Sequence, residues 1–573
     1  MRLCRTLQFA LALALVGFAG SAGAQVITPV TASITTPTTW CDDEDVMLLQ
    51  NPIFVTSKLT IEPGCIVRGQ PRTVQFSPTT PEVGAPGALI VSQGGFLDAQ
   101  GTASAPIIMT TAATDNNGDG IVDRQNNAPA DECNPPLDCA EGWNPGDDFI
   151  DSTPATNPLA PLDAAGRQTA GLWGGLVLLG RAPTNLGDNQ VCGYGQAIIE
   201  GITVPGFPAS QACYGGYQPH DSSGILRYVS IRHAGDEVGD GNELNGLTMG
   251  GVGDGTILQN IEVYANQDDG IEWFGGTVNA QNVVLVTIGD DSLDIDQGFN
   301  GNVQNALVVQ TFFNQDSGDV FGAASGDNMG EWDGDDCDPC NVQVENISPF
   351  LEPEFPQSWP NANPQIVNAT MIGAKDEDGN NPATSVAIGS RGIRPRDGWT
   401  GAVINTIITN SRRPCEVEST VGTHEPDLVR LVSTTISGNG RITGPGTEDG
   451  TLPNAACNAA IAGGNAAVNN GEYDGGTANV VQGGSAPEIL VNDNYFFDPN
   501  GVADATGAGK LQGSKVGAAF DPRPANPTAA SVSGGVAPRG AGLDASATYR
   551  GAFPASQPLW TNGWTVLSLG DIQ

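Results

Sequence analysis

Two short motifs advance along the middle of this chain in step. Gln259-Asn260-Ile261-Glu262-Val263 recurs as Gln281-Asn282-Val283-Val284-Leu285 and as Gln304-Asn305-Ala306-Leu307-Val308, at steps of 22 and 23 residues. Gln267-Asp268-Asp269-Gly270-Ile271 recurs as Gly289-Asp290-Asp291-Ser292-Leu293, 22 residues on, and more loosely as Gln315-Asp316-Ser317-Gly318-Asp319 after a further 26. A repeat of this length is one supersecondary unit that cannot bury its apolar face alone, so neighbouring units must stack. Each unit holds short runs of Val, Ile and Leu separated by Gly, Asn and Asp, the size of one coil of a right-handed parallel β-helix. Stacking puts equivalent residues about 4.8 Å apart. The Asn of each Gln-Asn pair is therefore expected in a ladder of side-chain amides at a turn.

Other segments fit the same scheme. Leu59 to Val67 and Ala88 to Thr110 each read as strand, tight turn, strand, and long stretches of helical periodicity are missing. The fold class is all-β. The expected organisation is a signal peptide over 1–24, an N-terminal cap over 25–57 and the parallel β-helix over 58–445. A Gly/Ala/Asn-rich irregular region then covers 446–573, with an ordered element at Pro558 to Leu567. The cap is expected because an uncovered first coil leaves a sheet edge open to aggregation.

Leu172-Trp173-Gly174-Gly175-Leu176, Asn245-Gly246-Leu247-Thr248-Met249-Gly250-Gly251 and Asp268-Asp269-Gly270-Ile271-Glu272-Trp273-Phe274-Gly275-Gly276-Thr277-Val278-Asn279 resemble a family of secreted bacterial right-handed β-helix proteins. Tyr549-Arg550-Gly551-Ala552-Phe553 with Trp560 to Thr565 is similar to that family's ending. The resemblance implies fold and export and carries no catalytic residues with it.

Export is also written at the N-terminus. Arg2 and Arg5 precede an apolar run from Leu7 to Phe18 and the small residues Ala22-Gly23-Ala24, a cleavable secretory signal. The run is too short to span a bilayer, so no transmembrane anchor is expected. Beyond Cys4 the cysteines suit disulfides between sequence neighbours: Cys41 with Cys65, Cys133 with Cys139, Cys192 with Cys213, Cys337 with Cys340 and Cys415 with Cys457. A formal net charge of −41 argues against nucleic acid as a partner. So dense a set of carboxylates repels itself unless cations sit among them, and calcium is the expected cofactor.

Asp115-Asn116-Asn117-Gly118-Asp119-Gly120-Ile121-Val122-Asp123 offers oxygens at positions 1, 3, 5 and 9 of a calcium loop, through Asp115, Asn117, Asp119 and Asp123, with Gly at position 6. Asn126 replaces the bidentate Glu of an EF-hand. Asp376, Asp378 and Asn380 form a shorter version. The repeat also brings Asp268 and Asp269 beside Asp290 and Asp291, and carboxylates so placed must share a cation or keep a proton. They are either structural, or an acid and nucleophile pair at glycosidase spacing. Asp269, Asp290 and Asp291 are the catalytic candidates. Gly289-Asp290-Asp291 one coil after Asp269-Gly270 resembles the polygalacturonase family, which implies polysaccharide hydrolysis. The chain departs from that family in having no His between His233 and His424, and a lyase would need a base that the stretch from His233 to Asn341, free of Arg and Lys, does not supply. Trp273, Trp332, Trp359 and Trp399 read either as fillers of turns and caps or as a sugar-stacking platform, and His220 and His233 flank a strand as ordinary polar residues. The expected function is an exported, calcium-stabilised binding or structural protein, adhesin-like, and its expected location is periplasmic, cell-surface or extracellular in a Gram-negative-type bacterium. Its partner is a polysaccharide or another surface protein. The alternative is a polysaccharide hydrolase or lyase.

Overall fold

The computed structural model describes residues 27–41, 46–72, 85–113, 169–186, most of 191–236, 244–310, 326–334, 362–373, most of 391–417, 429–437, 457–469, 476–481, 489–491 and 520–568, with a few strand residues between them. The chain is a right-handed parallel β-helix, its coils built from three faces. The first face runs from Thr38–Trp40 through Lys58–Ile61 and Phe96–Gln100 to Arg430–Val432. The second runs from Ile27–Val30 through Val46–Leu49 and Ile66–Gly69 to Thr435–Asn439 and Val480–Gly483. The third stacks Pro52–Val55, Ala88–Val91, Leu176–Leu179, Leu247–Gly250, Ile271–Phe274, Leu293–Asp296, Asn328–Asp333, Arg391–Arg396 and Arg413–Cys415. Residues 27–55, within the span expected as a cap, already supply parallel strands to all three faces.

Why these residues stack is visible in the register. Val229, Ile261, Val283 and Ala306 lie in one column and Ile231, Val263, Leu285 and Val308 in the next, all buried. Each such side chain contributes about 1.5–3 kcal/mol when removed from water, but only its neighbours above and below complete the removal. Trp273 stacks on Phe299 at 5.3 Å and Trp332 on Trp399 at 5.0 Å between ring centroids. All four rings are buried in the central core, so these tryptophans fill the interior and no sugar can reach them; Trp359 lies outside the described residues.

The long strands Ile257–Asn266, Asn279–Ile288 and Asn302–Val309 each bend from the first face onto the second. The bends fall at Asn260, Asn282 and Asn305, whose φ angles are 60°, 58° and 61°. Asn is one of the few side chains that tolerate this left-handed conformation. The amides form the expected ladder: Asn282 Nδ2 donates to Asn260 Oδ1 at 2.9 Å and Asn305 Nδ2 to Asn282 Oδ1 at 3.0 Å.

The far end of the solenoid is closed by the helix Ala455–Asn469, which places Cys457 and Ala460 in the core and is tied to the last coil by Cys415–Cys457. Cys41–Cys65 and Cys192–Cys213 are the other expected bridges found; Cys133, Cys139, Cys337 and Cys340 lie outside the described residues. From Phe520 onward the chain folds back as a strap. Tyr264, Val284, Val286, Leu307, Val309, Ile372 and Ile407 point outward from the second face and are buried under Phe520, Val532, Phe553, Trp564, Val566 and Leu567. The strap reads the repeat through its amides: Asn405 exchanges two 2.8 Å hydrogen bonds with the Val536 backbone, and Asn368 Nδ2 donates to Tyr549 O at 2.6 Å. At its end Val566 N donates to Glu262 Oε1 at 2.8 Å. Among the described residues no helix is long and apolar enough to cross a membrane.

Candidate functional site

The turn that leads into the third face carries the acidic motif found in the repeat. Asp291 N donates to Asp269 Oδ1 at 2.8 Å, and Asn328 N donates to Asp291 Oδ1 at 2.6 Å. Each of these carboxylates therefore joins its coil to the next, and both are buried, while Asp268 is partly exposed and Asp290 exposed. Burial, followed by the charges of Asp268 and Asp290, pushes the Asp269 carboxyl well above its usual range. Burial also raises Asp291, with Asp269, Glu331 and Asp290 adding to it. A proton or a cation has to neutralise such a stack. Asp268, Asp269 and Asp290 can bring oxygens within 4.8 Å of one another, as can Asp269, Glu272 and Asp294, and Asp290, Asp291 and Asp327. An all-oxygen donor set of this kind suits a hard divalent cation.

Beyond the turn, strand alternation sends Ile271 and Trp273 inward and Glu272 outward; Leu293 and Ile295 inward and Asp294 outward. Thr248, Glu272, Asp294, Glu331 and Arg394 thus form one outward row across five coils. Phe274 and Asp296, with Asp333 and Arg396 on the following strands, lie in the row beside it. Asn245 donates to Glu272. Glu331 receives Arg394 at 2.7 Å and Arg396 at 2.9 Å, Asp327 receives Arg391 at 2.9 Å, and Arg396 also grips Asp333. Burial, then Asp296, Asp269, Asp291 and Glu331, holds the Asp294 carboxyl well above its usual range.

The earlier coils of this face are apolar and covered. Phe54, Ile90, Val177 and Leu179 pack under Ile199, Ile202, Ala212 and Tyr214 of the segment that follows Leu179. Tyr214 lies against Phe274 and donates to Gln297 Oε1 at 2.7 Å, so this segment borders the acidic patch. Along the axis the outer third face thus passes from a covered apolar region to carboxylates and then to arginines.

The sequence candidates separate accordingly. Asp269 and Asp291 are linking groups inside the turn, and Asp290 stands at its surface. Asp294, Asp296, Glu272, Glu331 and Asp333 were not singled out by the repeat motif, although Leu293-Asp294-Ile295-Asp296 alternates in a way that marks outward carboxylates. The absence of Arg and Lys before Asn341 does not carry over to space, because Arg391, Arg394 and Arg396 pair with the strand Asn328–Asp333. Asp115, Asn117, Asp119, Asp123, Asp376, Asp378, Asn380, Asp316 and Asp319 lie outside the described residues. His220 is exposed beside Asp254 at 2.8 Å, and His233 is buried edge-on to Tyr264.

A family model described as a pectate-lyase-like beta helix domain matches residues 151–439, half of the chain. Among solved structures the chain is similar to the catalytic unit of a thermostable GH87 alpha-1,3-glucanase from Streptomyces thermodiastaticus, with 10% identity, a TM-score of 0.20 and coverage of 77% of this chain. The chain spans 62% of the length of that catalytic unit. No curated protein sequence matches.

Proposed function

The chain belongs to the pectate-lyase-like beta helix domain family, and from that premise we propose that it is an exported protein that binds polysaccharide on the outer side of its third face. The observation that carries this reading is the row Asp294, Glu331, Arg394, which fixes hydrogen-bond acceptors and a forked donor on a rigid sheet. A coil step of about 4.8 Å is close to the length of one sugar ring. Hydroxyl-rich ligands are bound by such convergent polar groups held on rigid elements. The covered apolar segment closes one end of the row and the arginines mark the other, so a glycan has a defined place along the axis.

A second reading is favoured by one local contrast. Asp294 keeps its proton more firmly than an ordinary carboxyl, whereas Glu331, its cross-strand partner, is ion-paired with two arginines. These two carboxyl groups, roughly 5 Å from each other on neighbouring strands, have the spacing of an acid and a nucleophile in retaining glycoside hydrolysis. Asp294 would protonate the leaving oxygen and Glu331 would face the anomeric carbon.

Incubation of the mature protein with a panel of neutral and acidic polysaccharides tests both. Retardation in affinity electrophoresis by at least one glycan is expected. If the face is catalytic, new reducing ends appear, and Asp294→Asn lowers their rate by about 10²–10⁴. Binding to no member of the panel contradicts the proposal.

A further inference from the structure

We infer that the turn entering the third face holds a structural calcium ion between Asp290, Asp291 and Asp327, with Asn328 Oδ1 as a neutral ligand. Oxygens of the three carboxylates lie within 4.8 Å of one another. A second observation points to a cation rather than to crowding alone. Asn328 is fully buried, and its Oδ1 has no hydrogen-bond donor among the described residues. Asp327 Oδ1 is likewise buried without a donor. Both oxygens belong to side chains seated in the cluster: Asn328 N lies 2.6 Å from Asp291 Oδ1, and Asn328 Nδ2 lies 3.4 Å from Asp327 Oδ2. Buried acceptors left unpaired are rare because each gives up its hydration. A cation satisfies both at once.

The remaining atoms fit that role. Asp291 Oδ1 accepts from the backbone of the next coil, which fixes its carboxylate in the cluster. Asp327 gives Oδ2 to Arg391, which leaves the orphaned Oδ1. Asp290 is exposed and offers a path of entry. The set contains only protein oxygens, three carboxylates and an amide, which suits calcium better than magnesium, which keeps several waters. Asp290 and Asp291 enter one coil and Asp327 enters the next, so the ion would clamp successive coils. The inference does not depend on carbohydrate binding.

Calcium titration of the chelator-treated full-length chain, followed by calorimetry and by thermal unfolding, tests it. Wild type is expected to bind calcium and to gain about 2 °C or more in Tm at saturation. Because the loop from Asp115 to Asp123 is a calcium candidate of its own, the comparison is made in an Asp115→Asn, Asp119→Asn background, in which adding Asp290→Asn and Asp327→Asn is expected to weaken binding about 100-fold and abolish the gain. Should the added pair fail to fold by circular dichroism, exposed Asp290→Asn alone in that background is expected to weaken binding about 10-fold. The inference is overturned if the Asp115→Asn, Asp119→Asn background shows no calcium-dependent gain, or if the gain survives the added Asp290 and Asp327 changes.

Discussion

Glu262→Ala is expected to cost about 2–5 kcal/mol, the loss of two buried hydrogen-bond acceptors, and to free the C-terminal strap. Glu262 is fully buried on the second face. One oxygen accepts Val566 N at 2.8 Å across 304 residues of chain, and the other accepts Ser230 Oγ at 2.6 Å. Ser230 Oγ in turn accepts Arg232 Nε at 2.7 Å, and Arg232 is also fully buried. Removing the carboxylate leaves the Val566 backbone N–H and the Ser230 hydroxyl without their acceptor, and unpaired buried donors are costly inside a protein. It also loosens the segment that covers Tyr264, Val284 and Leu307. Chemical denaturation combined with limited proteolysis reads both effects: earlier unfolding, and cleavage near residue 520 at protease levels that spare wild type. Glu262→Gln keeps an acceptor for Val566 and is expected to lose less. Equal stability and equal protease resistance in the alanine variant would remove the strap's latch from the account.

The second large effect is a pH dependence of unusual sign. Asp269, Asp291 and Asp294 all have carboxyls raised in the folded state, by burial first and by neighbouring carboxylates second. A group raised on folding contributes stability that is complete below its unfolded value, about 3.9 for Asp, and lost as pH rises through its folded value. A tenfold difference in proton affinity between the folded and unfolded chain is worth about 1.4 kcal/mol. In chelator, the protein is therefore expected to melt higher near pH 5 than near pH 8. Asp98 acts in a different window. Burial raises it, but hydrogen bonds from Lys58 and Gln100 more than compensate, so its folded value is lowered and its contribution is lost only as pH falls below the ordinary carboxylate range. The Asn variants of Asp269, Asp291 and Asp294 together should flatten the slope between pH 5 and 8. A slope unchanged by those three substitutions would show that other groups set it.

Much of the fold is legible in the chain because a solenoid writes its geometry as a period. The steps of 22 and 23 residues give the coil, and the Asn at each Gln-Asn pair marks the bend, since a left-handed backbone and an amide ladder both ask for that side chain. Of the strap only its end, the ordered element at Pro558 to Leu567, was legible, and the capping helix was not. Residues 534–551 have no repeat of their own; they dock on amides such as Asn368 and Asn405, so their order is borrowed from the coils. The candidate site was half legible for a similar reason. Tandem carboxylates announce the turn at Asp268 to Asp291, but Arg391 to Arg396 reach the site only through register, after a long interruption in the period. No local pattern connects Glu331 with Arg394, 63 residues away.

The central claim is that glycan binds the outer third face, and its most direct test is the affinity of the best polysaccharide from the panel for variants on two faces. Asp294→Asn with Arg394→Ala on the third face is expected to weaken binding by about 10-fold or more, the loss of two direct hydrogen-bonding groups at about 1 kcal/mol each. Arg227→Ala, on the first face beside Gln100 and Gln259, is expected to leave it unchanged. Loss of affinity with Arg227→Ala and none with the third-face pair would contradict the account.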